Sequence, residues 1–271
     1  MEFLDIQGER VPKLGFGTSQ LRGRECSEGV GDALELGYRH IDTAQGYGNE
    51  ELVGEGIRRS GVDRNDIFLV TKLEPTNFRR EDAKASTHES LRKLGTDYVD
   101  LFLLHWPNPD VPLSETLTAL VELKEEGAIK HIGVSNFPPS MVREAREITP
   151  IFANQVEYHP YLAQPKLTEQ AVELDYMLTA YCPLAQGKVV GDRQLKSIGE
   201  KHGKSAAQVA LRWLIQQDQV TAIPKAASAE HRRNNLNIFD FSLSSDEMQQ
   251  IDDMGTNDRL IDPSDAPEWD R

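Results

Sequence analysis

Short apolar runs and amphipathic stretches alternate along this chain from Leu14 to its last quarter. KLGFGTS, YRHIDTA, DIFLVTK, DYVDLFLLH, HIGVSN, FANQVEY, YMLTAYCP and VTAIPK are brief and apolar. Such runs suit strands buried on both faces of a parallel sheet. Between them SEGVGDALELG, EELVGEGIRRSG, REDAKASTHESLRKLG and SETLTALVELKEEG carry apolar residues at helical spacing and close on glycine. In the last of these, Ser114 is expected to cap the first turn, Leu117, Leu120, Val121 and Lys124 recur at helical spacing, and Gly127 supplies the stop. A strand-helix alternation repeated about eight times with short connections predicts a (β/α)₈ TIM barrel. An open doubly wound sheet is the alternative, and the lack of a GxGxxG after any strand counts against its usual dinucleotide site.

Two pieces fall outside the alternation. FLDIQGERVPKLG has extended runs around Gly8 and reads as an N-terminal hairpin closing one end of the barrel. SSDEMQQIDDMG, with acids in its first turn, reads as an added C-terminal helix beginning at Ser245. The tail beyond Gly255 is polar and irregular, with Trp269 its conspicuous aromatic. A length of 271 residues suits one barrel, so residues 1–271 are read as a single domain.

Composition narrows the partners. The 44 acidic residues against 30 basic ones leave a formal charge of −14, which argues against broad attraction to nucleic acid or an anionic membrane. No apolar run reaches membrane-spanning length, and charges interrupt MEFLDIQGERVPK where a secretory signal would need an apolar core, so a cytoplasmic location is expected. Acid excess with only 12 Lys beside 18 Arg resembles proteins of salt-loving organisms, although selection for solubility alone gives the same bias. Cys26 and Cys182 match no metal or redox spacing and read as free thiols.

The candidate chemistry lies at the strand ends, which converge on one mouth in a barrel. Asp42 and Tyr47 follow the second strand, Lys72 ends the third, and His105 ends the fourth with Trp106 beside it. Singly, each has a plain structural reading as a cap, a strand terminus or a core histidine. Together they suit reduction of a carbonyl, where hydride arriving at carbon builds negative charge on an oxygen that must be stabilised and protonated. A phenol can do both, and an adjacent ammonium is expected to lower its pKa from about 10. Lys72 fills that place, Asp42 would hold Lys72 charged, His105 can donate a second hydrogen bond, and Trp106 offers an apolar wall.

YRHIDTAQGYGNE, KLGTDYVDLFLLHWP, HIGVSNF, NQVEYHP, CPLAQGK and IPKA, in this order, resemble the aldo-keto reductase family, over the stretch from GFGT to the FDF near the end. The compact loop after the seventh strand is most similar to the prokaryotic diketogluconate and methylglyoxal reductase branch. The resemblance implies a (β/α)₈ barrel, NADPH bound across the mouth, and reduction of small aldehydes, ketones or dicarbonyls to alcohols. It implies Asp42, Tyr47, Lys72 and His105 as the catalytic tetrad, with Tyr47 as proton donor. It also implies that Ser135, Asn136 and Gln155 hold the nicotinamide carboxamide, that Tyr181 stacks on the ring, and that Leu184 and Gln186 meet the pyrophosphate. Lys225, Ser228, His231 and Asn235 fall at positions around the adenosine phosphate and adenine. Ser19, Trp106 and Trp269 are expected to face substrate.

The chain departs from the family at IPKAASAEHRRNN, where Ala226 stands at a serine position and His231 at an arginine position. Losing a hydroxyl and a guanidinium weakens the hold on a 2′-phosphate, so use of NADH beside NADPH is expected. Two other functions compete with this reading. One is a non-catalytic cofactor-binding barrel with a structural or regulatory role, against which the intact tetrad argues. The other is a metal-dependent hydrolase, which lacks paired histidines on the first strand.

Overall fold

The computed structural model describes residues 1–264 and 266–269. Eight parallel strands follow one another around a curled sheet in sequence order: β3 (Phe16–Gly17), β4 (His40–Asp42), β5 (Phe68–Leu73), β6 (Val99–Leu104), β7 (Ile129–Ser135), β8 (Ala153–Glu157), β9 (Met177–Tyr181) and β10 (Val220–Ala222). The ring closes where Leu14 bridges Ala222 in parallel, with Gly15 N donating to Ala222 O at 2.8 Å and Gly17 N to Pro224 O at 3.2 Å. This is the (β/α)₈ fold expected from the alternation of apolar and amphipathic segments.

The helices covering it are α1 (Gly23–Leu36), α2 (Glu50–Ser60), α3 (Arg80–Leu94), α4 (Leu113–Glu125), α5 (Pro139–Ile148), α6 (Pro165–Leu174), α7 (Arg193–His202), α8 (Ala206–Gln216), α9 (Ala229–Leu236) and α10 (Ser245–Asp252). α1, α2 and α3 stop at Gly37, Gly61 and Gly95, each in the left-handed region that glycine enters without a Cβ penalty. No helix among the described residues is long and apolar enough to cross a membrane.

One local expectation is corrected. Ser114 does not cap α4: the helix begins at Leu113 behind Pro112 with no side-chain cap, and the Ser114 carbonyl instead accepts from Thr118 Oγ1. Its buried stripe runs through Thr116, Leu117, Ala119, Leu120 and Leu123, leaving Val121 half-buried and Lys124 exposed. α10 does begin at Ser245, and Ser244 forms a capping box with Glu247 that satisfies two otherwise orphaned donors.

The hairpin of β1 (Phe3–Ile6) and β2 (Glu9–Pro12) turns through Gln7 and Gly8, both at positive φ as a two-residue turn with the strands' twist requires. Its apolar face, Leu4, Ile6 and Val11, joins a cluster with Phe68, Val70, Leu101, Leu103, Phe152, Ala153 and Met177. Several of these continue, two residues at a time, into the candidate chemistry. Phe68 and Val70 lead to Lys72, Leu101 and Leu103 to His105, and Ala153 to Gln155. Because side chains alternate across a strand, one inward face is an apolar plug at the hairpin end and polar at the other.

Close packing of α1 on α2 depends on Gly56, where an added Cβ would lie 2.6 Å from Ser27 O and 2.7 Å from Val30 Cβ. Gly56→Ala should therefore destabilise by about 1–3 kcal/mol despite the better helix propensity of alanine. That corresponds to a fall in Tm of roughly 2–4 °C per kcal/mol, and an unchanged or raised Tm in a calorimetric scan would contradict the close approach.

Candidate active site

At the polar end of the barrel a cavity of about 590 Å³ opens. Its wall brings together Ser19, Asp42, Tyr47, His105, Trp106, Ser135, Asn136, Gln155, Tyr181, Leu184, Gln186, Lys225 and His231. These residues come from all parts of the chain, and the strand ends place them. Lys72 lies just behind the wall, Trp269 lines a neighbouring cavity, and Ser228 and Asn235 are not on this wall.

Lys72 and Asp42 form an ion pair at 2.6 Å with both side chains only 1% exposed. Lys72 Nζ also donates to Thr43 O at 2.8 Å and to Tyr47 Oη at 3.3 Å, while Gln155 Nε2 donates to the other carboxylate oxygen of Asp42 at 2.7 Å. Burial alone would depress the Lys72 pKa, and Asp42 and Tyr47 outweigh it, holding the ammonium above its ordinary range. An ammonium only donates, so the Tyr47 oxygen is the acceptor in this contact and its own proton is directed elsewhere.

For Tyr47 the expected shift is overturned. Burial raises its pKa above the usual phenol value, and the lowering by Lys72 does not compensate, partly because Asp42 cancels the lysine's charge. Tyr47 is therefore held as the neutral, proton-bearing phenol.

His105 meets the ring of Tyr47 edge-on, with centroids 5.7 Å apart. Its Nδ1 lies 3.1 Å from Oε2 of Glu74, a carboxylate whose pKa is lowered chiefly by that hydrogen bond. An ionised carboxylate accepts only, so the proton sits on Nδ1 and Nε2 is left for a ligand. Donation from Nε2 to a carbonyl then requires the doubly protonated ring. Glu74 went unremarked in the sequence, yet it follows Lys72 by two residues and so shares its face of the chain. Gly46 leaves the room it needs, since a Cβ there would collide with the Glu74 carboxylate.

The polar residues beside Tyr181 are bonded largely to one another. Tyr181 Oη donates to Asn136 Oδ1 at 2.8 Å, Asn136 Nδ2 donates to His105 O at 3.0 Å and to Ser135 Oγ at 3.1 Å, and Ser135 Oγ donates to Gln155 O at 2.8 Å. With Gln155 Nε2 held by Asp42, the side-chain Oε1 of Gln155 is the group that could accept from an amide. The network fixes the Tyr181 ring at the cavity wall, where a flat heterocycle could stack. Leu184 and Gln186 sit in a turn with Ala185, Gln186 and Gly187 all at positive φ.

At the far rim Lys225 and His231 are exposed, and Ser228 caps α9 by accepting from His231 N at 3.1 Å. Asn235 is buried one turn beyond His231 on the same helix. Arg232 is turned inward, bonded to Asp32 Oδ2 at 2.6 Å and to the carbonyls of Ala226 and Ala227.

A second carboxylate was also missed. Glu157, two residues past Gln155 and fully buried, accepts from Leu260 N at 2.8 Å, Ile261 N at 2.9 Å and contacts His159 Nε2 at 2.9 Å. It ties the C-terminal segment over the mouth, where Ile261 lines the cavity and Trp269 meets Trp106 edge-on at 6.3 Å.

A family model described as the aldo/keto reductase family matches residues 13–256. The chain is 39% identical to methylglyoxal reductase DkgB of Escherichia coli O157:H7 over 266 residues, covering 96% of this chain and 99% of that protein. It is 41% identical to a glyoxal reductase of Bacillus subtilis over 257 residues, covering 93% and 92%. A crystal structure of a protein provisionally designated 2,5-diketo-D-gluconic acid reductase B superposes with a TM-score of 0.98 at 47% identity, covering 100% of this chain and 98% of that one.

Proposed function

This chain belongs to the aldo/keto reductase family, and from that premise we propose that it reduces small aldehydes, ketones or dicarbonyls to alcohols with a nicotinamide cofactor. The observation carrying this reading is the buried Asp42–Lys72 pair, whose ammonium reaches the Tyr47 oxygen at the floor of the cavity. We take the barrel of residues 1–271 as one functional unit.

A reduced nicotinamide would supply hydride to the carbonyl carbon. The residues present fit such a group: Tyr181 offers a fixed ring face, Gln155 an amide acceptor, and Leu184 and Gln186 a turn along the wall. In this reading Tyr47 donates its phenolic proton to the developing alkoxide, and Lys72 stabilises the tyrosinate left behind. Asp42 keeps Lys72 charged and in place. His105, steered by Glu74, turns Nε2 towards the same oxygen and donates to it only when both ring nitrogens carry a proton, while Ser19 and Trp106 bound the space left for the carbonyl compound. The names of the two bacterial relatives, a methylglyoxal and a glyoxal reductase, favour short dicarbonyls as substrates.

The rim argues for relaxed cofactor choice. Arg232, the cation nearest the missing arginine position, is committed to Asp32 and is buried, and Ala226 is buried with no hydroxyl to offer. Lys225 and His231 remain to meet a 2′-phosphate, with the Ser228 hydroxyl already accepting from the helix. We expect kcat/KM with NADPH to exceed that with NADH by less than about 1000-fold, a preference of roughly 4 kcal/mol. Absorbance loss of each cofactor with methylglyoxal, at low salt and in molar KCl, measures this. A larger ratio would refute the relaxed choice, and tight cofactor binding without turnover of any small carbonyl would refute the reductase reading.

A further inference from the structure

The short 3₁₀ turn that ends in Tyr47 begins at Gln45. Every hydrogen-bonding position of the Gln45 amide is filled. Oε1 accepts from Glu74 N at 3.0 Å and from Asn77 Nδ2 at 3.1 Å, and Nε2 donates to Ser86 O at 3.2 Å and to Ser90 Oγ at 3.1 Å. Ser86 and Ser90 belong to α3, so Gln45 ties the Tyr47 turn both to that helix and to the segment that presents Glu74. Gly46, the next residue, lies against the Glu74 carboxylate with no room for a Cβ.

The other side of the Glu74–His105 contact is tied as well. His105 N donates to Leu73 O at 3.1 Å, and Asn136 Nδ2 donates to His105 O at 3.0 Å. Asn108 Nδ2 donates at 2.9 Å to the carbonyl of Pro75, the residue after Glu74. Both backbones flanking the 3.1 Å contact of Glu74 Oε2 with His105 Nδ1 are thus anchored.

An ionised carboxylate accepts only, so Nδ1 keeps its proton whatever the charge of the ring. On the neutral ring Nε2 is then a lone pair, which repels a carbonyl oxygen. On the doubly protonated ring it is a charged donor. A neutral imidazole without such a partner has another option, since it can carry its single proton on Nε2 and donate from there. Glu74 removes that option.

We propose that Gln45 and Glu74 are positioning residues that lock His105 as an Nδ1–H ring, so that only the imidazolium donates from Nε2 to the substrate oxygen and reduction is favoured by acid. This rests on the reductase reading above and adds the charge state in which that site works. The proton transferred still comes from Tyr47, and His105 keeps its own. The other ionisable groups around the ring do not blur the effect. Glu74 is held below the ordinary carboxylate range, Tyr47 and Lys72 above the ordinary phenol and ammonium ranges, and Asp42 is paired with Lys72. His105 is left as the group facing the oxygen that changes charge between about pH 6 and about pH 9.

The pH dependence of kcat/KM for methylglyoxal, which carries no ionisable group, tests this at saturating cofactor. For the native protein kcat/KM should fall about 10-fold or more from about pH 6 to about pH 9, as a charge-assisted hydrogen bond is lost. Glu74→Gln, an isosteric change at a half-buried position, frees the ring to carry its proton on Nε2, and the fall should shrink to about threefold or less. Gln45→Met should flatten the profile too, and the double variant should be no flatter than Glu74→Gln alone, because Gln45 acts through Glu74. A merely structural role would lower Tm and leave the shape of the profile unchanged. A Glu74→Gln profile parallel to the native one would overturn the lock, and a native-like Gln45→Met profile would overturn Gln45's part in it. Heteronuclear NMR of the histidine rings, with His105 assigned by the signal lost in His105→Gln, gives a readout free of turnover. It should show a proton on Nδ1 of His105 throughout the pH range in the native protein, and the Nε2–H form at high pH in Glu74→Gln. A bare Nδ1 in the native protein would refute the lock whether or not any carbonyl compound is reduced. The Nδ1 proton in place without turnover would uphold the lock and sink the reductase reading.

Discussion

Tyr47→Phe is expected to lower turnover of methylglyoxal by about 10²- to 10⁴-fold while leaving the cofactor Kd within about twofold. The substitution removes one oxygen and keeps the ring, so the edge-on contact with His105 and the approach of Lys72 Nζ, 4.9 Å from the ring centre, persist. What disappears is the proton. In the native site Lys72 donates to the phenol oxygen, and burial holds the phenol protonated, so Tyr47 is loaded to give. Phenylalanine has no proton to give, and residual turnover would have to draw on the Lys72 ammonium, His105 or solvent. Steady-state kinetics and a cofactor titration check both halves, and a variant within tenfold of native turnover would remove Tyr47 from the role of proton donor.

The second large effect separates catalysis from stability. Lys72→Met leaves Asp42 buried with Gln155 Nε2 as its side-chain donor and its negative charge uncompensated. Breaking a buried pair in this way costs about 3–5 kcal/mol, which in a chain of this size lowers Tm by roughly 10 °C. Turnover should collapse as well, because the tyrosinate left after proton transfer would lack its cation. Removing both charges, as Asp42→Asn with Lys72→Met, should recover much of the lost stability, since no isolated charge then remains in the barrel. Activity should stay low in the double variant. Calorimetry and kinetics on the three proteins distinguish the outcomes: a double variant as unstable as Lys72→Met would show that the pair's charges are not what the barrel resents, and one as active as native would dispose of Lys72's catalytic part.

The strands were legible because a parallel barrel buries both faces, so each run is apolar along its length, as in Phe68–Leu73 and Val99–Leu104. Asp42, Lys72 and His105 were legible because they end or directly follow such runs, and Tyr47 because it stands in the loop just after one. Glu74 and Glu157 were overlooked although each lies two residues beyond a recognised mouth residue, Lys72 and Gln155, where strand alternation aims it the same way. The sign of the Tyr47 shift was not readable at all. A sequence shows a lysine close in pattern to a tyrosine, and it hides both the burial of the phenol and the cancelling of the ammonium by Asp42. The start of α4 was missed as well, because Ser114 lies inside a helix that begins at Leu113 behind Pro112.

The barrel has a seam. β3 and β10 contribute two and three residues, and they meet through the Leu14–Ala222 bridge and a few hydrogen bonds between residues 13–17 and 222–224. Gly17, Ile223, Pro224 and Lys225 on that joint are also wall of the main cavity. This short joint is also the cavity's own doorframe, and a ligand lying along it would act as a clasp. Filling the mouth and fastening the barrel are one event, so an occupied molecule would resist breathing and proteolysis at this joint better than an empty one.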